Sequence, residues 1–380
     1  MSGALGPVIT GVQTRRLRAR LHTPFVTALR RTEYAETLVV TLTDSDGRTG
    51  WGEAPQVWRV TGDSIIGSEA AVTGPLAEAV VGLPVDAAMG VIQGALVGNR
   101  AAKMAMDLAC WDLRARTAGL PLAQSLTVSL PQGRFGNHTV SDWTAGRTVR
   151  TDITLAAGSI DDLVAAATDR VAEGFEVIKV KVGARPADDL AAVLAVRHAV
   201  GPGPRLRLDA NTGWDARQAV EIVTALEDAG ADLELVEQPT RARDLDALGY
   251  VTRHVNTPVI ADESVFDLDD MVDVVRTGAA DGVNLKLAKT GGLTPALDLA
   301  HVAVSHGLSV LVGSMMETHL GVAAAAALSL VINPDGVNDL DAAWWIAGSP
   351  YLGGLEQSGP ALVLSDSPGS GIVGLADGGQ

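Results

Sequence analysis

Asp209, Glu237 and Asp262 each close a short apolar run (RLRLD, LELVE, TPVIAD). Lys179 and Lys181 close the run before them (VIKVKVG), and Lys286 closes the run after (GVNLKLAK). Amines thus bracket three carboxylates along the chain. Three acids with no His or Cys among them make an all-oxygen donor set, which favours a hard cation: Mg²⁺ first, with Mn²⁺ as its substitute. A lone strand-end acid is ordinarily a solvated or capping residue, whereas three at matching places in successive units point to a shared metal. Lys179 and Lys181 are two apart and so share one face of a strand. Ammonium groups this close depress each other's pKa, and partial burial acts in the same sense, which prepares a lysine to serve as a base near neutrality. Lys286 is expected to face them across the metal, so that a bound carbon acid meets an amine on each side. This arrangement suits removal of a carbon-bound proton.

A repeat must position these groups. From Lys181 to Asp209, Glu237, Asp262 and Lys286 the steps are 28, 28, 25 and 24 residues, each about one strand, one helix and two short loops. Between the runs lie stretches such as DARQAVEIVTALEDAG and TPALDLAHVAVSHG, whose apolar residues recur at three- and four-residue intervals. Strand and helix in alternation imply a parallel sheet. Two more units are readable, DITLAA before the lysine strand and LSVLVGSMMET after Lys286, and a last short strand near Val337 brings the number to eight. The expected class is α/β, a modified (β/α)8 TIM-like barrel, in which reactive groups project from the C-terminal ends of the strands.

At 380 residues the chain is longer than a plain barrel, and the excess is mostly N-terminal. Residues 8–20 and 36–52 read as strands, the second with a turn at Asp46-Gly47, and helical patterns follow from 64 to 118. The expected organisation is an α+β capping domain at 1–125, the barrel at 126–340 with a polar stretch at 131–150 leading into it, and a segment at 341–380 folding back on the cap. A net charge of −16 argues against nucleic acid and anionic membranes and for a small solute. Cys110 is the only cysteine, which excludes an intrachain disulfide and fits the cytoplasm. The N-terminus shows no signal peptide, and Gly321–Ile332 is too short to span a bilayer. A homo-oligomer is expected.

Further motifs extend the pattern: TPFVTALRRTEYAETLVV, GWGEAPQVWRVTGDS, MAMDLACWDLRARTAGLPL, LRLDANTGW, ELVEQP, ADESVF, VNLKLAKTGGL, GSMMETHLGVAAAA and NDLDAAWW. In this order they resemble, over nearly the whole chain, the muconate-lactonising subgroup of the enolase superfamily, and within it the dipeptide epimerases of the L-Ala-D/L-Glu type. The resemblance implies Lys181 and Lys286 as acid/base lysines, Asp209, Glu237 and Asp262 as Mg²⁺ ligands, and Lys179 at the substrate carboxylate. It implies substrate contacts at Thr154, Asn211 and Ser314. Asp339 and Asp341 would receive the ammonium group of a dipeptide, and Arg30 the side-chain carboxylate of a glutamate. Without the resemblance, Arg30 reads as a surface arginine and the D-x-D as turn acids. The implied reaction is epimerisation of a dipeptide: one lysine takes the α-proton to leave an enediolate, and the opposite lysine returns a proton to the other face.

Competing readings use the same site for racemisation of N-acylamino acids, o-succinylbenzoate synthesis or muconate cycloisomerisation, all of which the D-x-D disfavours. The histidine-based branch would recruit His319 but needs an acid where Lys286 stands. A non-catalytic relative could have lost lysines or ligands, and none is lost. Trp344, Trp345 and Met316 depart from the residues common in the Ala-Glu type, which leaves the second residue of the dipeptide open; a preference for bulky apolar second residues would mean that they have reshaped the pocket.

Overall fold

The computed structural model describes residues 6–26, 31–130, 135 and 148–376. Arg30 and most of the 131–150 stretch lie outside them. The N-terminal part opens with an antiparallel sheet of β1 (Ile9–Val26), β2 (Arg31–Asp44) and β3 (Thr49–Pro55), in that order. Asp44 closes the hairpin at Asp46-Gly47 by accepting from the backbone N–H of Asp46 at 2.9 Å and of Arg48 at 2.8 Å. The long helix Arg100–Ala118 lies against this sheet because β3 is glycine-stepped there. A Cβ at Gly52 would sit 1.9 Å from the Ala105 carbonyl oxygen, and one at Gly50 would sit 2.2 Å from that of Ala109. Leu38, Val40 and Leu42 share a core with Ala101, Met104, Ala105 and Leu108.

The barrel begins with β4 (Thr148–Thr151) and β5 (Ile153–Leu155). It continues through β6 (Val177–Lys181), β7 (Arg205–Asp209), β8 (Leu233–Glu237), β9 (Val259–Ala261), β10 (Gly282–Lys286) and β11 (Ser309–Gly313). Strands β5 to β11 form one parallel sheet in sequence order, buried on both faces, which is why they read as apolar runs. The eighth position is filled by β12 (Val337–Asn338), only two residues long. It pairs with β4, and the next residue, Asp339, bridges to Gly313 of β11, so the ring closes through a short splice. The eighth unit also lacks a full helix, since Ala342–Trp345 makes a single turn.

The C-terminal segment divides its contacts. Strands β13 (Tyr351–Gly353) and β16 (Ile372–Leu375) pair with each other, and Tyr351 and Ile372 pack against Leu17 and Val39 of the cap. Strands β14 (Glu356–Ser358) and β15 (Ala361–Val363) pair with each other, and β15 pairs with β4 of the barrel.

A buried acid seats the cap on the barrel mouth. Glu53 of β3 accepts from the backbone N–H of Thr318 at 3.0 Å and of Gly321 at 2.6 Å, and from the Thr318 hydroxyl at 2.6 Å. These groups form the N-terminus of the helix His319–Ile332, whose free N–H groups and dipole favour a carboxylate. Next to it, Glu317 is buried with Oε2 unpartnered among the described residues. Burial, and then the charge of Glu53, push its carboxyl from 4.5 up to about 8. Below about pH 4.5 the group is protonated in both states; between there and about 8 only the unfolded chain ionises it. Its contribution therefore lowers stability, with rising pH, by about 1.4 kcal/mol per unit across that window. Glu317→Gln is expected to remove this slope and raise the Tm near pH 8, while changing little near pH 5. Parallel Tm–pH curves for the two proteins would contradict it.

Candidate active site

The parallel register brings the strand-end groups to one level. Lys181 is opposite Asp209, and Asp209 is opposite Glu237, while Asp262 lies one residue beyond β9 and Lys286 ends β10. Strands β6 and β10 are four positions apart in a ring of eight, so Lys181 and Lys286 come from opposite walls. The Lys181 ammonium donates to Asp209 Oδ2 at 2.5 Å. That of Lys179 donates to Glu237 Oε2 at 2.7 Å, lies 2.8 Å from Asp339 Oδ2 and 3.6 Å from Asp209 Oδ2. That of Lys286 donates to Asp262 Oδ2 at 2.7 Å and lies 3.5 Å from Glu237 Oε1.

The mutual depression expected of the paired lysines does not describe Lys179. Burial disfavours its charge, but Asp339, Glu237, Asp209 and Asp152 outweigh burial and hold its pKa well above the ordinary lysine range. Lys286 behaves alike, with Asp262 and Glu237 the main compensating charges. Conversely, despite burial, Lys179 and Lys286 hold Glu237 well below the usual carboxylate range.

A pocket of about 120 Å³ opens above this cluster. Lys179, Lys181, Lys286, Asp262, Thr154, Asn211, Ser314, Asp339 and Asp341 all line it, while Asp209 and Glu237 are fully buried. Phe25, Val57 and Val60 reach it from the cap, and Met315, Met316 and Ala342 from the barrel. The D-x-D pair arrives differently from a strand alternation, because β12 ends at Asn338 and Asp341 already has helical backbone angles. Asp339 faces Lys179 and accepts from Asn284 Nδ2 at 2.9 Å. Asp341 accepts from the Thr154 backbone N–H at 2.8 Å and from Trp345 Nε1 at 3.2 Å.

Of the three departures from the Ala-Glu type, Met316 lines the pocket and Trp344 and Trp345 do not. Trp345 stacks on His22 and meets Phe25 edge-on, with centroids 4.9 Å apart in the second pair; Trp344 lies under the Arg170 guanidinium at 4.4 Å. The two rings pack against the end of β1, and that of Trp345 also donates to Asp341. His319 opens the helix after Thr318, and burial pushes its pKa down to about 4, so it is a neutral helix-start residue.

Four residues absent from the sequence reading complete the cluster. Lys289 is fully buried; its ammonium lies 2.5 Å from Asp262 Oδ1 and donates to the Asn284 carbonyl at 3.0 Å. Gln238 Oε1 accepts from the backbone N–H of Asp262 at 2.8 Å. Asn284 Nδ2 donates to Glu237 Oε1 at 2.8 Å, and Glu263 Oε1 accepts from Asn211 Nδ2 at 3.1 Å. The Lys286-x-x-Lys289 spacing was the available signal, since a strand running directly into a helical turn returns the second lysine towards the first.

Among the described residues no three acidic, His or Cys side chains are gathered at ligating distance around one point; ammonium groups stand between the carboxylates. The donor chemistry nevertheless fits a divalent cation. Asp152, Asp209, Glu237, Asp262, Glu263, Asp339 and Asp341 are seven carboxyl groups beside five cations, Lys179, Lys181, Lys286, Lys289 and Arg207, and burial with the charge of Asp339 pushes Asp152 up to about 8. Buried acceptors Glu263 Oε2 and Asn284 Oδ1 have no partner among the described residues. Burial, with the charges of Asp262 and Asp209, pushes Glu263 up to about 7, as crowded anions require.

Fold and site together define a capped parallel barrel of the enolase class. Residues 9–126 match the mandelate racemase / muconate lactonizing enzyme N-terminal domain, and residues 162–375 match the enolase C-terminal domain-like model. The chain belongs to that family. It is 37% identical to the L-Ala-D/L-Glu epimerase of Bacillus subtilis over 97% of each chain. The substrate-liganded structure of that enzyme superposes with a TM-score of 0.90, covering 97% of this chain and 99% of the other at 37% identity. A dipeptide epimerase from Enterococcus faecalis, complexed with Mg and the dipeptide L-Leu-L-Tyr, superposes with a TM-score of 0.87 at 34% identity, covering 96% and 99%. No helix among the described residues is long and apolar enough to cross a membrane.

Proposed function

We infer that the protein is an isomerase, a dipeptide epimerase that inverts the α-carbon of the C-terminal residue by two-lysine proton transfer. The observation that carries this is one pocket shared by lysines from opposite walls, Lys181 and Lys286, and by two acids from the closing splice, Asp339 and Asp341. The names of the similar enzymes support it. An α-proton beside a carboxylate is a very weak acid, because its loss puts a second negative charge on the same group. Asp209, Glu237 and Asp262 would hold Mg²⁺, or Mn²⁺ in its place, which when bound offsets that charge. Lys179 adds a fixed positive charge at the same end. Lys181 and Lys286 exchange protons with opposite faces of the carbon, one arriving neutral and the other charged. Thr154, Asn211 and Ser314 position the backbone of the substrate, and Asp339 with Asp341 receive its ammonium group. A small dipeptide library incubated in deuterated water, with mass shift at the α-carbon as readout, tests reaction and specificity together. No exchange into any dipeptide would remove this reading.

The ammonium subsite carries its own prediction. Asp339 also neutralises Lys179, so Asp341→Asn is the cleaner substitution. It should cost about 3 kcal/mol in kcat/KM against free-amine dipeptides and far less against N-acetylated ones. An equal loss for both would show that Asp341 does not contact the amine. Arg30→Met should penalise an acidic second residue more than an apolar one, since a guanidinium pairs bidentately with a carboxylate.

A further inference from the structure

The two acids of the D-x-D motif stand on a segment that the sheet alone holds weakly. Strand β12 is two residues long, and beyond it Asp339 makes one bridge to Gly313 before the backbone turns helical at Asp341. Buried N–H and C=O groups still need partners there. Some come from the backbone of neighbouring strands: the Asp152 N–H donates to the Asn338 carbonyl at 2.8 Å, and the Asp339 N–H to the Val312 carbonyl at 2.9 Å. Two come from side chains of other strands. The Thr151 hydroxyl accepts from the Leu340 N–H at 2.8 Å, and Arg207 Nη2 donates to the Val337 carbonyl at 2.7 Å.

Leu340 is the residue between the two acids. Its side chain is fully buried in the apolar core, whereas Asp339 and Asp341 line the pocket. A hold on its N–H therefore sets both acids at once. Thr151 is itself buried, and its hydroxyl donates to the Asp152 carbonyl at 3.0 Å, which leaves its lone pairs for Leu340.

Arg207 needs a reason for its place. It lies two residues before Asp209 on the same face of β7, buried, with Lys179 opposite on one side and Leu235 on the other. Leu235, Ile260 and Leu311, two residues before Glu237, Asp262 and Gly313, make a small apolar cluster at the equivalent places of their own strands. Space of this kind is thus filled elsewhere without charge. A buried ion pair is seldom more stabilising than an apolar filling of the same volume. What an apolar residue could not supply is the fork. Nη1 donates to Asp152 Oδ2, Nε to Glu234 Oε2 and Nη2 to the Val337 carbonyl, each at 2.7 Å. One rigid group so ties the start of β12 to Asp152, whose own N–H holds the next residue, Asn338.

We propose that Thr151 and Arg207 are positioning residues for the ammonium subsite, the first fixing Leu340 between its two acids and the second fixing the strand that leads into them. Neither lines the pocket. This rests on reading Asp339 and Asp341 as the receptor of the substrate's ammonium group.

The test compares L-Ala-L-Glu with N-propionyl-L-Glu, which has the same outline without the amine. Thr151→Val removes the hydroxyl at nearly constant volume and strips the Leu340 N–H of its acceptor, while Thr151→Ser keeps one. The double variant Arg207→Met/Asp152→Asn removes the ion pair as a unit, and Glu234 retains Arg205. In kcat/KM for α-deuterium exchange, the preference for the amine should fall about tenfold in Thr151→Val and in the double variant. The loss should lie in KM rather than kcat, because the ammonium contact is made alike in ground and transition states. Thr151→Ser should restore the preference. A second readout needs no turnover: the NMR resonance of the Trp345 indole N–H, which donates to Asp341 at 3.2 Å, should shift in Thr151→Val and return in Thr151→Ser. An unchanged preference overturns the proposal. So does an equal loss for both substrates with a lowered Tm, which would make the two residues general supports of the barrel. If wild type exchanges neither substrate, or Asp341→Asn leaves the preference as it was, the ammonium reading fails. The resonance then decides separately whether Thr151 places Asp341: a shift that Thr151→Ser reverses supports it, and an unmoved resonance overturns it.

Discussion

Lys181→Ala is expected to abolish α-deuterium exchange from one enantiomer of the epimerisable residue, and Lys286→Ala to abolish it from the other. Each single variant should lose epimerisation by about a thousandfold or more, the range of a positioned acid or base, yet retain exchange without inversion from the enantiomer whose proton faces the surviving lysine. The geometry makes this asymmetry readable. The lysines end strands four positions apart and approach from opposite walls, so neither can serve both faces of a carbon fixed between them. Loss of either also leaves its acid with another nearby cation. Asp262 keeps Lys289 at 2.5 Å, and Asp209 keeps Lys179 at 3.6 Å. The variants should therefore fold, which circular dichroism and Tm would check. Exchange of both enantiomers at wild-type rates by both variants would rule out the two-base mechanism.

The strand ends were legible because a parallel barrel turns equal spacing along the chain into a common level in space. Lys181, Asp209 and Glu237 need only their register for this. Interactions that cross the ring left no such trace. Asp339 lies 2.8 Å from Lys179 although 160 residues separate them, and that contact helps reverse the pKa direction expected from two neighbouring lysines. The closing splice was visible as a short strand near Val337. Its brevity, and the helical turn that begins at Asp341, were hidden because an isolated two-residue strand has no periodicity to read. The place of Trp344 and Trp345 was hidden for a related reason. Which surface a ring covers depends on a partner, here His22 and Phe25 from the distant β1. Lys289 has no such signature, because a buried lysine is rare unless paired and its pairing with Asp262 follows from a strand-to-helix turn rather than from a repeat.

Exhaustive chelation should abolish turnover, Mg²⁺ or Mn²⁺ should restore it, and Zn²⁺ should do so poorly, because the proposed ligands are carboxylates and Zn²⁺ sites draw on nitrogen and sulfur. The charge balance gives this its size. Seven carboxyl groups and five cations share the cluster, Asp152 and Glu263 already pushed up by their crowding, and a substrate carboxylate would add negative charge just where the reaction develops more of it. Several kcal/mol of transition-state stabilisation depend on offsetting it. Mg²⁺ should also raise the Tm of the chelated protein, a readout independent of turnover. Among ligand substitutions, the buried geometry favours isosteres over alanine. Glu237 receives Lys179 and Asn284 in a fully buried position, so Glu237→Ala would strip a partner from a buried ammonium, a change that can cost about 3–5 kcal/mol of stability. Glu237→Gln preserves volume and an acceptor while removing the charge. It should keep the fold, lose the Mg²⁺-dependent rise in Tm and lose turnover. Full activity after chelation, or a Glu237→Gln variant that responds to Mg²⁺ as wild type does, would remove the metal from this site.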